Sequence, residues 1–153
     1  MVTEIRKANM SDLKRIQELN NELFELELTS CDDTLIRDWP LSMDGEEYFK
    51  SLIKEDYVYV AVDDFEIVGY LAGSVVDVSY VKNKYAELNN MCVSGNSRGK
   101  KVGSLLLDRF KNDVKELGIM ELRVTASFMN KNARNFYEKN GFKDFEITYR
   151  VEL

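Results

Sequence analysis

The sequence predicts a single α/β domain over residues 1–153: a mixed sheet with helices packed on both faces. Three observations predict it. Apolar residues recur with helical spacing in some stretches and alternate in others, and the two kinds are interleaved along the chain. Read in order, the stretches run β-α-α-β-β-β-α-β-α-β, a pattern that needs a sheet covered on two sides. At 153 residues, 44% hydrophobic and 31% charged, the chain has the size and composition of one domain with its own core. No internal repeat, linker or low-complexity segment interrupts it.

Val2 to Lys7 reads as a short strand. Asn9 follows as an N-cap, with Asp12 three residues on in capping-box style. Leu13, Ile16, Leu19, Leu23 and Leu26 then mark an amphipathic helix to about Leu28. Thr29 to Ser42 breaks the pattern and holds Cys31, Asp32, Asp33, Asp38, Trp39 and the only proline, Pro40. A second helix is expected from Asp44, with Glu47 as capping partner, burying Tyr48, Phe49, Leu52 and Ile53. Tyr57 to Val62 is rich in β-branched and aromatic residues and reads as a strand. Asp63-Asp64-Phe65-Glu66 is a hairpin turn signal. Ile67 to Tyr80 returns as a longer strand, with Gly69 and Gly73 marking a bulge or close backbone approach. Tyr85 to Val93 is the next strand. Val102, Leu105, Leu106, Phe110, Val114 and Leu117 describe a helix closed by Gly118. Met120 to Ala126 alternates as a half-buried strand. Asn130 to Asn140 is a short helix closed by Gly141. Phe145, Ile147, Tyr149, Val151 and Leu153 alternate with polar residues, which predicts a terminal strand with one wet face. Such a strand could also pair with another copy, so a homodimer is possible.

Charge and composition exclude several functions. The net charge is −6, which argues against nucleic acid or an anionic membrane as the main partner. No histidine is present, so His triads, His-containing zinc sites and a His base are all excluded. Cys31 and Cys92 match no metal or redox spacing. Cys92 lacks a histidine to activate it and reads as a small packed residue. No 18-residue apolar run and no signal-peptide pattern occur, which predicts a cytoplasmic protein.

Against this acidic background, one stretch is basic. Met91 to Val93 ends a strand; Ser94, Gly95, Asn96 and Ser97 carry turn chemistry; Arg98, Gly99, Lys100 and Lys101 lead into the helix at Val102, Gly103 and Ser104. A helix start presents unpaired N–H groups and partial positive charge. Glycines at 99 and 103 would let a bulky anion approach the backbone. The stretch is built as a site for a phosphorylated ligand. It is no P-loop, because Gly95 and Gly99 enclose only three residues and Lys101 stands where a Ser or Thr would hold magnesium. It does not fit the G-x-G-x-x-G dinucleotide pattern either.

Arg98 to Gly103 resembles motif A of the GNAT superfamily of N-acetyltransferases, Arg/Gln-x-x-Gly-x-Gly/Ala, with Lys101 at the middle glycine. Asn130 to Phe142 resembles the family's motif B, N-x-x-A-x-x-F-Y-E-K-x-G-F, at every defined position. The element order agrees as well, so the resemblance covers essentially the whole chain.

The resemblance implies acetyl-CoA as co-substrate and no metal. Its pyrophosphate would lie on backbone N–H groups from Arg98 to Ser104. Its pantetheine arm would fill a gap between Met91, Cys92 and Val93 and residues near Thr125 to Ser127, with the Met91 N–H facing the thioester carbonyl. Asn130, Ala133 and Phe136 would complete the cofactor site. Tyr137 matches the family's general acid, and Glu87 is the candidate base. By a period of two, Glu87, Asn89 and Met91 are expected on one strand face. Trp39, Asp38 and Asn89 are candidate acceptor contacts, and the acidic residues from Asp32 to Glu47 point to a cationic small-molecule or peptide amine. The implied reaction is acetyl transfer to a primary amine by direct attack in a ternary complex. A catalytically silent CoA-binding or ligand-sensing domain is the alternative. The lysine at 101 is expected to be tolerated unless the position needs a positive φ.

Overall fold

The computed structural model describes residues 2–153. Strands β1 (Glu4–Lys7), β2 (Val58–Asp63), β3 (Glu66–Val76), β4 (Tyr85–Val93) and β5 (Leu122–Val124) form one sheet in that spatial order. The first four are antiparallel neighbours, and β4 and β5 are parallel. Helices α1 (Leu13–Ser30) and α2 (Met43–Lys54) cover one face; α3 (Val102–Glu116) and α4 (Lys131–Lys139) cover the other.

Alternation along the strands creates the two cores. On β2, Val58 and Val60 face α1 and α2, where they meet Ile16, Leu19, Phe49 and Tyr70. Tyr59 and Ala61 face α3, where they meet Leu106, Leu107, Phe110 and Val114. The central strands are therefore apolar on both sides.

Local chemistry sets most boundaries. The Asn9 side chain accepts the Ser11 N–H at 3.0 Å, and Asp12 accepts the Asn9 N–H at 2.9 Å, which closes the expected capping box. Asp12 also takes two hydrogen bonds from Arg6 at 2.8 and 3.0 Å, tying β1 to the start of α1. The β2–β3 hairpin turns through Asp64 and Phe65 at φ 49° and 66°, the paired positive values of a type I′ turn. Gly118 and Gly141 follow α3 and α4 at φ 81° and 90°, as C′ glycines should.

Several boundaries differ from the sequence expectation. Helix α2 starts earlier, because the Ser42 hydroxyl accepts the Gly45 N–H at 3.2 Å and serves as the cap. Strand β3 stops at Val76, whose partner is Tyr85, the first residue of β4; beyond it there is nothing to pair with. Strand β5 keeps only three residues, because β4 offers it only Ala86 to Leu88. The terminal strand over 145–153 does not form. Its alternation is present, but no backbone–backbone hydrogen bond joins 143–153 to the rest of the described chain. Without a neighbouring ladder an extended segment is not a strand.

Candidate functional site

The site begins with an extra residue. Gly73 pairs with Leu88, but Ala72 pairs with Asn90, so Asn89 is bulged out of β4. A bulge reverses the side-chain phase beyond it. Ala86 and Leu88 face α3, and so do Met91 and Val93; Asn90 and Cys92 face α1 and α2. Glu87, paired with Ser74, lies on the α1/α2 side. The expectation that Glu87, Asn89 and Met91 share one face is thus corrected: Glu87 and Met91 project to opposite faces. Asn89 is exposed and accepts the Ser74 hydroxyl at 2.8 Å.

The parallel ladder ends at the same place. It joins Ala86 to Leu122, Glu87 to Arg123 and Leu88 to Val124, and goes no further. Met91 to Val93 and Thr125 to Ser127 diverge, which leaves backbone groups of both strands unpaired with each other. An open cleft of about 1940 Å³ starts from this wedge. It brings together Glu87, Asn89, Met91, Asn130, Ala133, Tyr137 and Trp39.

The basic loop continues from the wedge. Arg98 donates from Nε to the Val93 carbonyl at 3.1 Å, which folds the loop back on the strand end. Arg98, Gly99, Lys100 and Lys101 are exposed. Gly99 sits at φ 82° with open space where a Cβ would be. Lys101 is the N-terminal residue bounding α3 and has φ 62° and ψ 18°. The position where the motif carries glycine therefore does need the left-handed region, and Lys101 adopts it with strain of order 1–2 kcal/mol. Val102, Gly103 and Ser104 open the helix with their N–H groups free of intrahelical partners. Gly103 also has a packing reason to be glycine: an added Cβ would meet the Phe136 ring at 3.2 Å and the Met91 methyl at 3.4 Å. Val102 and Phe136 belong to this packing as well.

Asn130 caps α4, accepting the Ala133 N–H at 3.1 Å, and donates to Glu27 Oε1 at 3.1 Å. Two turns later Tyr137 packs edge-on between Phe136 and Phe142. Burial, with a smaller push from the Glu27 carboxylate, raises the Tyr137 pKa to about 12. The phenol keeps its proton at neutral pH. Cys92 is 5% exposed and burial raises its pKa to about 11. It is an inert thiol within the α1/α2 core.

The opposite wall is aromatic. Phe24 stacks on Trp39 at 5.8 Å, and Trp39 meets Tyr48 edge-on at 5.6 Å. Behind Tyr48 a buried relay runs inward: Asn90 donates to Tyr48 Oη at 3.0 Å, Tyr70 donates to Asn90 at 2.6 Å, and Asn20 donates to Tyr70 at 2.8 Å. Asp38 adopts φ 61° ahead of Trp39 and does not line the cleft. Glu46 and Glu47 pair with Lys50 instead. The acidic lining near the aromatic wall comes from Glu27, Asp32 and Glu87. The sequence does not single out Phe24, Glu27 or Asn90, and it marks Tyr48 only as a core residue of the second helix. Their periodicity marks them only as helix or strand residues, and the cleft they share exists only after folding. Among the described residues, no cluster of metal-ligating side chains occurs and no helix is long and apolar enough to cross a membrane.

Residues 13–142 match the acetyltransferase (GNAT) family. The chain belongs to that family. Among GNAT relatives, an uncharacterized N-acetyltransferase of Methanocaldococcus jannaschii is 29% identical over 65% of this chain, and the match spans 46% of that protein's length. The aminoalkylphosphonate N-acetyltransferase of Salmonella typhimurium is 24% identical over 99% of this chain and 92% of its own. Solved structures share the architecture. A mutant protein of Bacillus halodurans superposes with a TM-score of 0.88 at 20% identity, covering 100% of this chain and 99% of that one. The PaiA N-acetyltransferase of Thermoplasma acidophilum, in complex with coenzyme A, gives 0.80 at 23% identity over 97% and 94%.

Proposed function

We propose that this GNAT protein transfers the acetyl group of acetyl-CoA to a cationic primary amine by direct attack in a ternary complex. The observation that carries the proposal is the wedge between β4 and β5, which opens at Leu88 and Val124 and has a basic, N–H-rich helix start at its end. An extended ligand arm with an anionic head fits that combination. The bound thioester supplies the activated acetyl group; the chain's own residues do the rest. The Met91 N–H serves as donor to the carbonyl oxygen as charge grows there, an interaction worth about 2.7–4 kcal/mol in comparable sites. Tyr137, protonated to about pH 12, gives its proton to the departing sulfur. Glu87, on the acceptor side of the bulged strand, takes the ammonium proton directly or through water. Trp39, Phe24 and Tyr48 provide π faces for the incoming cation, and Glu27 and Asp32 add negative charge.

The partners in this reading are acetyl-CoA, a small-molecule or peptide amine, and a second copy of the chain; nucleic acid and membrane play no part, and the site of action is the cytoplasm. The reading is tested by thermal unfolding with acetyl-CoA, followed by a thiol-release assay over a panel of amines. Saturating acetyl-CoA at 100 times its Kd should stabilise the fold by about 2.7 kcal/mol, and polyamine-like or lysine-like acceptors should outpace neutral ones. No thermal shift would remove the co-substrate. A shift without thiol release on any amine would leave a silent CoA-binding domain.

A further inference from the structure

We propose that Tyr48 is a specificity-determining residue: its hydroxyl donates to an uncharged oxygen of the acceptor, so the protein selects cationic amines that carry a hydroxyl, ether or amide oxygen over plain alkyl amines. The inference rests on the acceptor reading above and adds the feature by which one amine is told from another.

Tyr48 lies on α2 and lines the cleft, edge-on to Trp39 at 5.6 Å. Asn90 is brought to it by the bulge in β4. Ala86 and Leu88 face α3, and unbroken alternation would send Asn90 the same way. The extra residue at Asn89 turns it to the α1/α2 side instead, where it meets Tyr48. The irregularity that opens the wedge thus also builds the cluster behind the acceptor wall.

A hydroxyl has one proton and a side-chain amide one carbonyl, which fixes the direction of each bond in this cluster. Asn20 donates to Tyr70 Oη at 2.8 Å, and Tyr70 gives its only proton to Asn90 Oδ1 at 2.6 Å. The Asn90 amide group then donates to Tyr48 Oη at 3.0 Å. The bonds all point from the core toward the cleft, and bonds aligned head to tail strengthen one another. The Tyr48 oxygen is therefore an acceptor toward the protein, and among the described residues no group accepts its proton. Burial raises the Tyr48 pKa above its ordinary value, so that proton is in place at neutral pH.

Tyr70 is fully buried and Asn20 is 2% exposed. Burying such groups is costly unless they are bonded, and apolar side chains of similar size would fill the same space. What the polar cluster supplies is a phenol held in position with its proton turned to the cleft. Glu27 and Glu87 line that cleft too, so a carboxylate or phosphate oxygen is disfavoured beside Tyr48. An uncharged oxygen on a cationic amine is the matching group. A methylene in its place would leave the donor unpaired, which is how a built hydrogen-bonding site discriminates between isosteres.

The test compares amines that differ by one oxygen-for-methylene exchange, methoxyethylamine against butylamine and methoxypropylamine against pentylamine. An ether oxygen accepts but cannot donate, so it reads the direction of the relay. Affinities are measured on the full chain saturated with CoA, where no transfer occurs, through the fluorescence of Trp39, the single tryptophan. At least one ether should bind about 3–10-fold tighter than its alkyl isostere. Tyr48→Phe keeps the ring, removes the proton and should bring the two affinities level. Asn90→Asp offers only acceptors, so Tyr48 turns its proton inward, and it gives the same reading should Tyr48→Phe fail to fold. Both members of a pair carry the same charge, so the added carboxylate does not move their ratio. Equal affinities in the natural chain overturn the inference, as does an ether preference that persists in the folded variant. Thiol release from acetyl-CoA is scored on the same amines. Release without an ether preference overturns this inference alone. An ether preference without release on any amine overturns the transfer reading and keeps Tyr48 as the group that reads a bound amine. Neither binding nor release overturns both.

Discussion

Tyr137 and Lys101 show how far a single residue's environment redefines it. An isolated phenol titrates near pH 10; burial among Phe136, Phe142 and the α3 core moves Tyr137 to about 12. A tyrosine held protonated has a proton available to give at neutral pH. Tyr137→Phe should therefore lower kcat by about 10²–10⁴-fold while thermal stabilisation by acetyl-CoA stays nearly the same; an unchanged kcat would take Tyr137 out of the chemistry. Lys101 makes a different point. Its φ of 62° lies in the region where a Cβ is strained. Lys101→Gly relieves that strain, at the cost of a more flexible unfolded chain. The expected net effect is a gain of up to about 1 kcal/mol in chemical denaturation, and a loss of stability would show that Lys101 makes a compensating contact. At Asp12, burial opposes the charged form, but hydrogen bonds from Arg6 and the Asn9 N–H outweigh it and hold the carboxyl below its usual range. A depressed acid stabilises the fold above its unfolded pKa, and that stability is lost as pH falls through the folded one. In urea unfolding at a series of pH values the natural chain should therefore be more stable than Asp12→Asn above about pH 4, and the difference should shrink as pH falls from there through the lower folded pKa; a difference independent of pH would remove the Asp12 carboxylate as its source.

At the scale of elements, the strand β4 makes the site. One extra residue at Asn89 turns Glu87 and Met91 to opposite faces and coincides with the end of the ladder to β5. Strand β3 supports this arrangement from the other side. Gly73, opposite Leu88, has no room for a side chain: an added Cβ would lie 2.4 Å from Phe110 Cζ and 2.8 Å from both of its Cε atoms. Phe110 is fully buried and has nowhere to move. Gly73→Ala should destabilise the domain by about 1–3 kcal/mol, measured by urea unfolding, with partial recovery in the double variant Gly73→Ala, Phe110→Leu. A neutral effect would mean that α3 shifts freely over the sheet. Helix α3 thus has two tasks, filling the core with Phe110 and presenting its N-terminus beside the wedge.

At the scale of the molecule, the sheet separates two cores that do different work. The α3 core positions the helix start, Phe136 and Tyr137. The α1/α2 core positions Trp39, Tyr48 and Glu27 and buries the polar relay from Asn20 to Tyr48. The cleft lies where the two meet, at the end of a ladder that stops after three pairs. An acceptor and a co-substrate approaching from the two sides would meet over β4.

The sequence by itself determined the helices, because capping chemistry and 3.6-residue spacing are local: Asn9 and Asp12, Gly118 and Gly141 behave as their residue types require. It also marked the basic helix start and the Asn130 to Phe142 segment, since both are contiguous in the chain. Tertiary structure decided what depends on partners distant in sequence. The phase of β4 follows from its pairing with Gly73 and Ala72, so the separation of Glu87 from Met91 was not legible in an alternating pattern. Glu27 became part of the site because the end of α1 packs beside Asn130, more than a hundred residues away. The segment 145–153 carries the periodicity of a strand but lacks a neighbour. Periodicity is a property of the chain, whereas a strand is a property of two backbones that must meet.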